Sequence, residues 1–321
     1  MAVYTEVTDE DMAAFLEGYD LGGLLSCKGI AEGVENSNYL LHCEAGFFIL
    51  TLYERRVAEA DLPFFLGLME HLAERRITCP QPVKNRKGVA LGRLAGRPAV
   101  IVTFLDGIAV RRPVAQHCAM IGETLARLHE AGSDFAIKRA NALSVGGWEP
   151  LFRSAEMRAD TVLPGLAVTI ADELSYLERH WPKHLPSGVI HADLFPDNAF
   201  FLGGKLSGVI DFYFACNDMF AYDIAICLNA WCFEPDSSFN ITKGMALIDG
   251  YQRIRPLTGE EAEALPLLAR GAALRFLLTR LVDWLNVPEG ALVRPKDPVE
   301  YVKKLRFHQQ AQSARDYGLL K

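Results

Sequence analysis

The sequence holds no C-x-x-C pair among its seven cysteines: Cys27, Cys43, Cys79, Cys118, Cys216, Cys227 and Cys232. A zinc cage of paired thiolates is therefore unsupported. An odd count in a chain of 321 residues also does not fit a small secreted disulfide framework. Buried, reduced thiols acting as small hydrophobes are expected instead. No uninterrupted apolar run reaches the roughly 18 residues of a membrane span. The stretch from Met1 to Asp20 is acidic and lacks the apolar core of a signal peptide, so the cytoplasm is the expected compartment. Cations are in deficit: 33 Lys and Arg face 40 Asp and Glu, for a net charge of -7. Nucleic-acid binding needs clustered Lys and Arg, so no such partner is expected, and no membrane partner either. The run Lys303-Lys304-Leu305-Arg306 reads as a solvated helix face. Internal repeats and low-complexity tracts are missing as well. What remains is a chain that is 50% hydrophobic, long enough for about two domains and apolar enough to bury a sizeable core.

The positive signals divide the chain in two. Thr8-Asp9-Glu10-Asp11 resembles a capping box, and Met12, Phe15, Leu16 and Tyr19 follow at helical spacing. Two apolar strand-length runs come next, Ser37 to Glu44 and Phe47 to Glu54, around a turn at Ala45-Gly46. Before them, Lys28 to Asn38 reads as a strand entering a glycine-containing polar loop. Leu62, Phe65, Leu66, Met69 and Leu72 predict a helix from about Glu59 to Arg76, ended by the prolines of "CPQPV". Two further strands flank Ala95-Gly96. Beyond Gly107 the texture turns helical, with one helix through Cys118, Ile121, Leu125, Leu128 and His129 and another from about Leu166 to His180. A hairpin is expected around Gly203-Gly204, with "LSGVIDFYF" (Leu206 to Phe214) as its second strand. Helices then follow to the end, with loops at Glu234 to Asn240 and Val287 to Asp297. The expectation is an α+β, two-lobe architecture. Residues 1–107 form a small antiparallel β lobe, residues 108–321 a larger, mostly helical lobe, and a cleft lies between them.

One stretch carries chemistry. In "VIHADLFPDN" (Val189 to Asn198) an apolar strand end runs into Asp193, a Phe-Pro pair, Asp197 and Asn198. Phosphoryl transfer needs a carboxylate to orient the acceptor hydroxyl, oxygen ligands for Mg²⁺ and backbone amides around the phosphates. In kinases the acid and one metal ligand stand five residues apart on one loop, as Asp193 and Asn198 do here. Asp211, in "GVIDFYF", is placed to supply the second metal oxygen, because an acid among Val209, Ile210, Phe212 and Tyr213 is costly unless something charged meets it. His191 is expected to hold the loop by hydrogen bonds, His129 to be a core histidine and Asp197 a turn residue. Asp223 is read as structural, as a helix N-terminal acid or as a buried brace.

H-x-D-x-x-x-x-N followed by a hairpin and I-D-F resembles the aminoglycoside phosphotransferase and choline kinase group, small-molecule kinases with a protein-kinase-like fold. The resemblance extends over nearly the whole chain, with "LARLHEAG" and "VTFLDG" among its other pieces. "FILTLYE", "YDIAICLNAWCFE" and "ALRFLLTRLVDW" are similar in addition to the homoserine kinase branch of the group. The resemblance implies transfer of the γ-phosphate of ATP, with Mg²⁺, to the side-chain hydroxyl of homoserine on the route to threonine. Its rivals are another small acceptor (an aminoglycoside, choline or a thiosugar) and a silent nucleotide-binding protein. By this match Asp193 is the catalytic acid-base residue, and Asn198 and Asp211 hold the metal. Gly33, Val34, Glu35, Asn36, Ser37 and Asn38 form the phosphate loop. The backbones of Thr103 and Leu105 meet adenine, near Leu94, Val100 and Phe104.

The chain departs from protein kinases in three places. "GVENSNY" lacks G-x-G-x-x-G. Thr51 stands where a strand lysine would pair the phosphates, which leaves Mg²⁺ or a nearby cation (Lys28, Arg55 or Arg56) to neutralise charge. The helix acid that would pair with that lysine, at Glu59, then has no clear partner. A zwitterionic acceptor needs a base for its carboxylate and an acid for its ammonium. Asn229, Trp231, Arg275, Arg280 and Asp283, on the later helices, are the candidates for its pocket. Oligomeric state is not legible.

Overall fold

A computed structural model describes residues 5–30, 36–54, 57–287 and 295–319. Helix α1 (Asp9–Leu16) opens it, its first turn capped by the Thr8 hydroxyl, which accepts the Asp11 N–H at 3.1 Å. Strands β1 (Leu24–Ile30), β2 (Ser37–Cys43) and β3 (Gly46–Leu52) follow as an antiparallel meander. A short 3-10 turn, Glu59–Asp61, leads into helix α2 (Leu62–Glu74). The predicted helix from Glu59 is thus split, because Pro63 sits at the start of α2 and its missing N–H suits only a first turn. Strands β4 (Gly92–Leu94) and β5 (Arg97–Thr103) complete a five-stranded sheet in the order β1-β2-β3-β5-β4.

Side-chain alternation gives this sheet two unlike faces. Tyr39, Leu41, Leu50, Leu52, Ala99 and Ile101 point outward and pack with Met12, Leu16 and Tyr19 in a small separate core. Thr51, Tyr53, Val100 and Val102 point the other way, and Tyr53, Val100 and Val102 join the main core between the lobes. Register fixes which polar residues share that inner face. Ile30, Asn38, Thr51 and Val100 lie side by side in one row, and Lys28, Leu40, Ile49 and Val102 in the next.

After Thr103 the chain leaves the sheet. Short strand β6 (Ile108–Ala109) leads to helices α3 (Ala115–Ala131), α4 (Val145–Arg153), α5 (Glu156–Ala159) and α6 (Leu166–His180). Strand β7 (Ser187–Ile190), the hairpin β8 (Ala199–Leu202) and β9 (Lys205–Val209), and β10 (Cys216–Met219) surround the loop of interest. β10 pairs with β7, and β6 with β8. Helices α7 (Phe220–Trp231), α8 (Ile241–Gln252), α9 (Gly259–Leu285) and α10 (Val299–Gln310) complete the lobe. α3 and α8 lie backbone to backbone at Gly122 and Gly250. A Cβ there would sit 2.0 Å from the Leu247 carbonyl oxygen or 2.2 Å from that of Ala119. The expected second strand through Phe214 stops at Val209. Asp211 takes a left-handed φ of 65°, which ends extended structure and turns the chain into a 3-10 turn at Phe212–Phe214.

The α+β two-lobe architecture is as expected. Arg139 ties the lobes together. It meets Asp61 at 2.8 Å, donates to the Ala215 carbonyl at 3.1 Å and lies 4.9 Å over the Phe65 ring. Among the described residues no helix is long and apolar enough to cross a membrane.

Candidate active site

The loop from His191 to Asn198 leaves β7 and is held from beneath by the large lobe. Asp223, on the first turn of α7 and wholly buried, accepts the His191 N–H at 2.8 Å and the Ala192 N–H at 2.9 Å. It also meets His129 Nε2 at 3.1 Å, while His129 Nδ1 meets the Tyr251 hydroxyl at 2.7 Å. Burial pushes the Asp223 carboxyl up. The His129 hydrogen bond and the neighbouring charges and amides outweigh that and hold it below the ordinary carboxylate range. An ionised acceptor on two backbone N–H groups and a neutral imidazole satisfies every donor in the cluster.

These bonds grip a strained residue. Ala192 has a φ of 62°, disfavoured for any side chain with a Cβ. Its N–H is taken by Asp223 and its carbonyl by Arg275, a guanidinium buried on α9. The next carbonyl but one, that of Leu194, accepts Trp231 Nε1–H at 2.7 Å. The backbone on both sides of Asp193 is therefore clamped, and the carboxylate is presented from a rigid base.

Asn198 faces Asp193 across the loop. Its Nδ2 donates to the Asp193 carbonyl at 2.9 Å and to Asp193 Oδ2 at 3.2 Å. With both N–H groups spent on Asp193, Asn198 Oδ1 is left as an oxygen donor without a hydrogen bond among the described residues. Ile210 carries Asp211 to the same place, its N–H donating to the Asn198 carbonyl at 3.0 Å and its carbonyl meeting His191 Nε2 at 3.1 Å. His191 is buried, which pulls its imidazole below the ordinary value, and its Nδ1 accepts the Asp193 N–H at 3.3 Å. A neutral His191 thus pins Ile210 to the loop. The amide oxygen of Asn198 and the carboxylate of Asp211 are hard-oxygen groups of the kind that could hold Mg²⁺.

Of the expected phosphate loop, Gly33, Val34 and Glu35 lie outside the described residues, as do Arg55 and Arg56. Asn36 and Ser37 are buried. Asn36 Oδ1 accepts the Glu54 N–H at 3.4 Å, and the Ser37 hydroxyl donates to Glu54 at 2.7 Å. Thr51 is buried on the inner face and donates its hydroxyl to Asn38 Oδ1 at 2.8 Å. Lys28 is exposed on the edge strand β1, and Glu59 pairs with Arg93 at the surface at 3.1 Å. At the crossover, the Thr103 N–H is donated to Gln81, whereas the Leu105 backbone has no hydrogen bond among the described residues. Val100 lies on the inner face and Phe104 is exposed, but Leu94 is buried in the outer core behind the sheet.

The candidates for the acceptor pocket divide by burial. Asn229 is wholly buried. Its Nδ2 donates to the Ala225 and Ala269 carbonyls at 3.0 Å each, and His308 Nε2 meets its Oδ1 at 3.0 Å. Trp231 and Arg275 are buried beneath the loop. Arg280 is partly exposed, pairs with Glu300 at 2.6 Å and stacks 4.4 Å over the Tyr301 ring. Asp283 is partly exposed one turn further along α9. Sequence reasoning missed Tyr301. Its hydroxyl is buried without a hydrogen bond among the described residues, near enough to Asp193, Arg280 and Arg275 for their charges to bear on it. Nothing in the spacing around Tyr301 marks it.

This arrangement is that of a phosphotransferase, and comparison places it in a family. The phosphotransferase enzyme family matches residues 26–257, and the chain belongs to that family. Within it the chain is similar over its whole length to curated homoserine kinases. It is 68% identical to that of Xanthobacter autotrophicus over 319 residues, covering 99% of both chains. It is 66% identical to that of Beijerinckia indica over 321 residues, covering 100% of both. Among solved structures, a choline kinase from Cryptosporidium parvum superposes with a TM-score of 0.70 at 13% identity, covering 94% of this chain and 95% of that one. An amicoumacin kinase superposes at 0.69 and 17%, covering 94% and 93%. At those identities the structural likeness carries the fold alone.

Proposed function

We propose that this chain is a homoserine kinase that transfers the γ-phosphoryl group of ATP to the side-chain hydroxyl of L-homoserine, in the cytoplasm, on the route to threonine. The observation that carries the chemistry is the clamped loop. Asp193 stands on a backbone held at Ala192 and Leu194, with Asn198 Nδ2 turned to it and Asn198 Oδ1 turned away. The full-length likeness to homoserine kinases carries the acceptor.

In this reading residues 1–107 hold the nucleotide and residues 108–321 the catalytic loop and the acceptor. The phosphates lie under residues 33–38, and adenine meets the backbone at Thr103 and Leu105. Asp193 orients the acceptor hydroxyl and takes its proton as the oxygen attacks the γ-phosphorus; the bond to the β-bridging oxygen breaks and ADP leaves. Asn198 Oδ1 and Asp211 would hold Mg²⁺, which when bound neutralises charge on the phosphate oxygens. Arg280 and Asp283 serve the carboxylate and ammonium of the amino acid. Asn229, Trp231 and Arg275 act from beneath, by fixing the loop and the helices around the acceptor.

The test is ADP release with Mg²⁺-ATP and a panel of homoserine, choline and an aminoglycoside. Turnover on homoserine is expected, with Asp193→Asn slower by about 10²-fold or more at unchanged thermal stability. Robust turnover on choline or the aminoglycoside with none on homoserine would sink the reading.

A further inference from the structure

We propose that the side-chain amide of Asn38, oriented by Thr51, makes the phosphate contact for which kinases use a strand lysine. This rests on the nucleotide site described above. Asn38 and Thr51 are directly paired across β2 and β3, on the sheet face that turns toward the large lobe. Asn38 is also the first residue of β2 on that face. The Thr51 hydroxyl has one proton and gives it to Asn38 Oδ1 at 2.8 Å. That bond fixes the amide: its oxygen is consumed by the sheet, and its Nδ2 is directed away from Thr51. Asn38 is partly exposed, and Nδ2 has no partner among the described residues. A donor pair thus stands on the inner face of the sheet, in the row that holds the lysine's slot.

Tyr53, two residues beyond Thr51 on the same face of the sheet, has its hydroxyl 2.9 Å from that of Tyr213, with the two rings edge to face at 5.3 Å. Thr51 is the positioning residue, and Asn38 is the one that would touch phosphate.

Calorimetric binding separates this role from a structural one. AMP-PNP with Mg²⁺ and adenosine are titrated into the full chain, and the ratio of their affinities is the readout. In Asn38→Ala the ratio falls by about ten- to a hundredfold, the range for a hydrogen bond to a charged group, while adenosine affinity stays within about twofold. Thr51→Val keeps the shape but frees the amide to turn, so its ratio falls in the same direction by about threefold or more. An unchanged ratio in Thr51→Val overturns the orientation of Asn38 by Thr51 even where Asn38→Ala is too unstable to titrate. An unchanged ratio in Asn38→Ala, or a loss in Lys28→Met with none in Asn38→Ala, overturns the contact itself. Because homoserine takes no part in the titration, the kinase reading can fail while this contact stands, and the reverse.

Discussion

Asp223→Asn tests whether the catalytic loop is set from below. The substitution keeps size and shape and removes one charge. In the native chain Asp223 Oδ2 takes two bonds, from the His191 N–H at 2.8 Å and His129 Nε2 at 3.1 Å, and Oδ1 takes the Ala192 N–H at 2.9 Å. An amide has one acceptor oxygen. Placed at the Oδ2 position, it keeps two bonds but turns its NH₂ toward the Ala192 N–H, leaving two donors face to face in a buried site. An unsatisfied buried group costs about 1–3 kcal/mol, and bonds that lose their charge assistance weaken further; removing a buried charge offsets part of this. A net loss of about 2–4 kcal/mol is expected by urea unfolding at pH 7.5. Ala192 is the point of failure, because its φ of 62° persists only while its N–H and carbonyl are both held. Its relaxation moves the neighbouring Asp193, and a shift of about 1 Å costs on the order of 10²-fold in kcat. Nucleotide affinity, which the proposed function places on the other lobe, should stay within about threefold. A variant with native stability and kcat within about twofold of the parent would refute the reasoning.

His308 makes the fold sensitive to acid. Burial, with the charge of Lys304 beside it, pulls its pKa from 6.5 to about 3. Its Nε2–H is spent on Asn229 and its Nδ1 faces the Tyr317 hydroxyl. The unfolded chain takes up a proton below about 6.5 and the folded chain does not, so stability is intact above that pH and falls as pH drops toward 3. By pH 5.5 the loss from this residue is about 1.4 kcal/mol, and denaturant titrations at pH 7.5 and 5.5 should show that much less pH dependence in His308→Gln. If Asn198 Oδ1 holds the metal as proposed, half-saturating Mg²⁺ should rise about tenfold or more in Asn198→Ala, in a kinase assay at fixed ATP. An unchanged Mg²⁺ dependence takes Asn198 out of the metal site. Arg280→Met should raise the homoserine KM by about tenfold, with the ATP KM unmoved, if it meets the acceptor carboxylate. Equal effects on both substrates would make it structural, through its pair with Glu300.

Sequence by itself determined what depends on near neighbours. The meander and the β8–β9 hairpin follow from alternation and from turns that tolerate positive φ at Gly46, Gly203 and Gly204. The helices follow from apolar spacing, and α6 runs from Leu166 to His180 as that spacing predicts. The five-residue gap that lets one loop present Asp193 and Asn198 together is also local, and so is the arrival of Asp211 one hairpin later.

Only the tertiary structure decided which residues stand behind that loop. Arg275 reaches the Ala192 carbonyl across 83 residues of chain, Trp231 the Leu194 carbonyl across 37 and His308 the Asn229 side chain across 79. In the sequence Arg275 and Trp231 read only as candidates for the acceptor pocket, and nothing there marks His308. Periodicity cannot say which backbone group each will meet, because that depends on how α7, α9 and α10 pack. Leu94 shows the same limit. One residue of register put it on the outer face, away from the large lobe. Thr51 shows it too. As a letter in a strand it is an absence, a lysine that is not there. Paired with Asn38 and backed by two tyrosines, it becomes part of a polar network, because β2, β3 and the turn after Asp211 are brought to one place by folding alone.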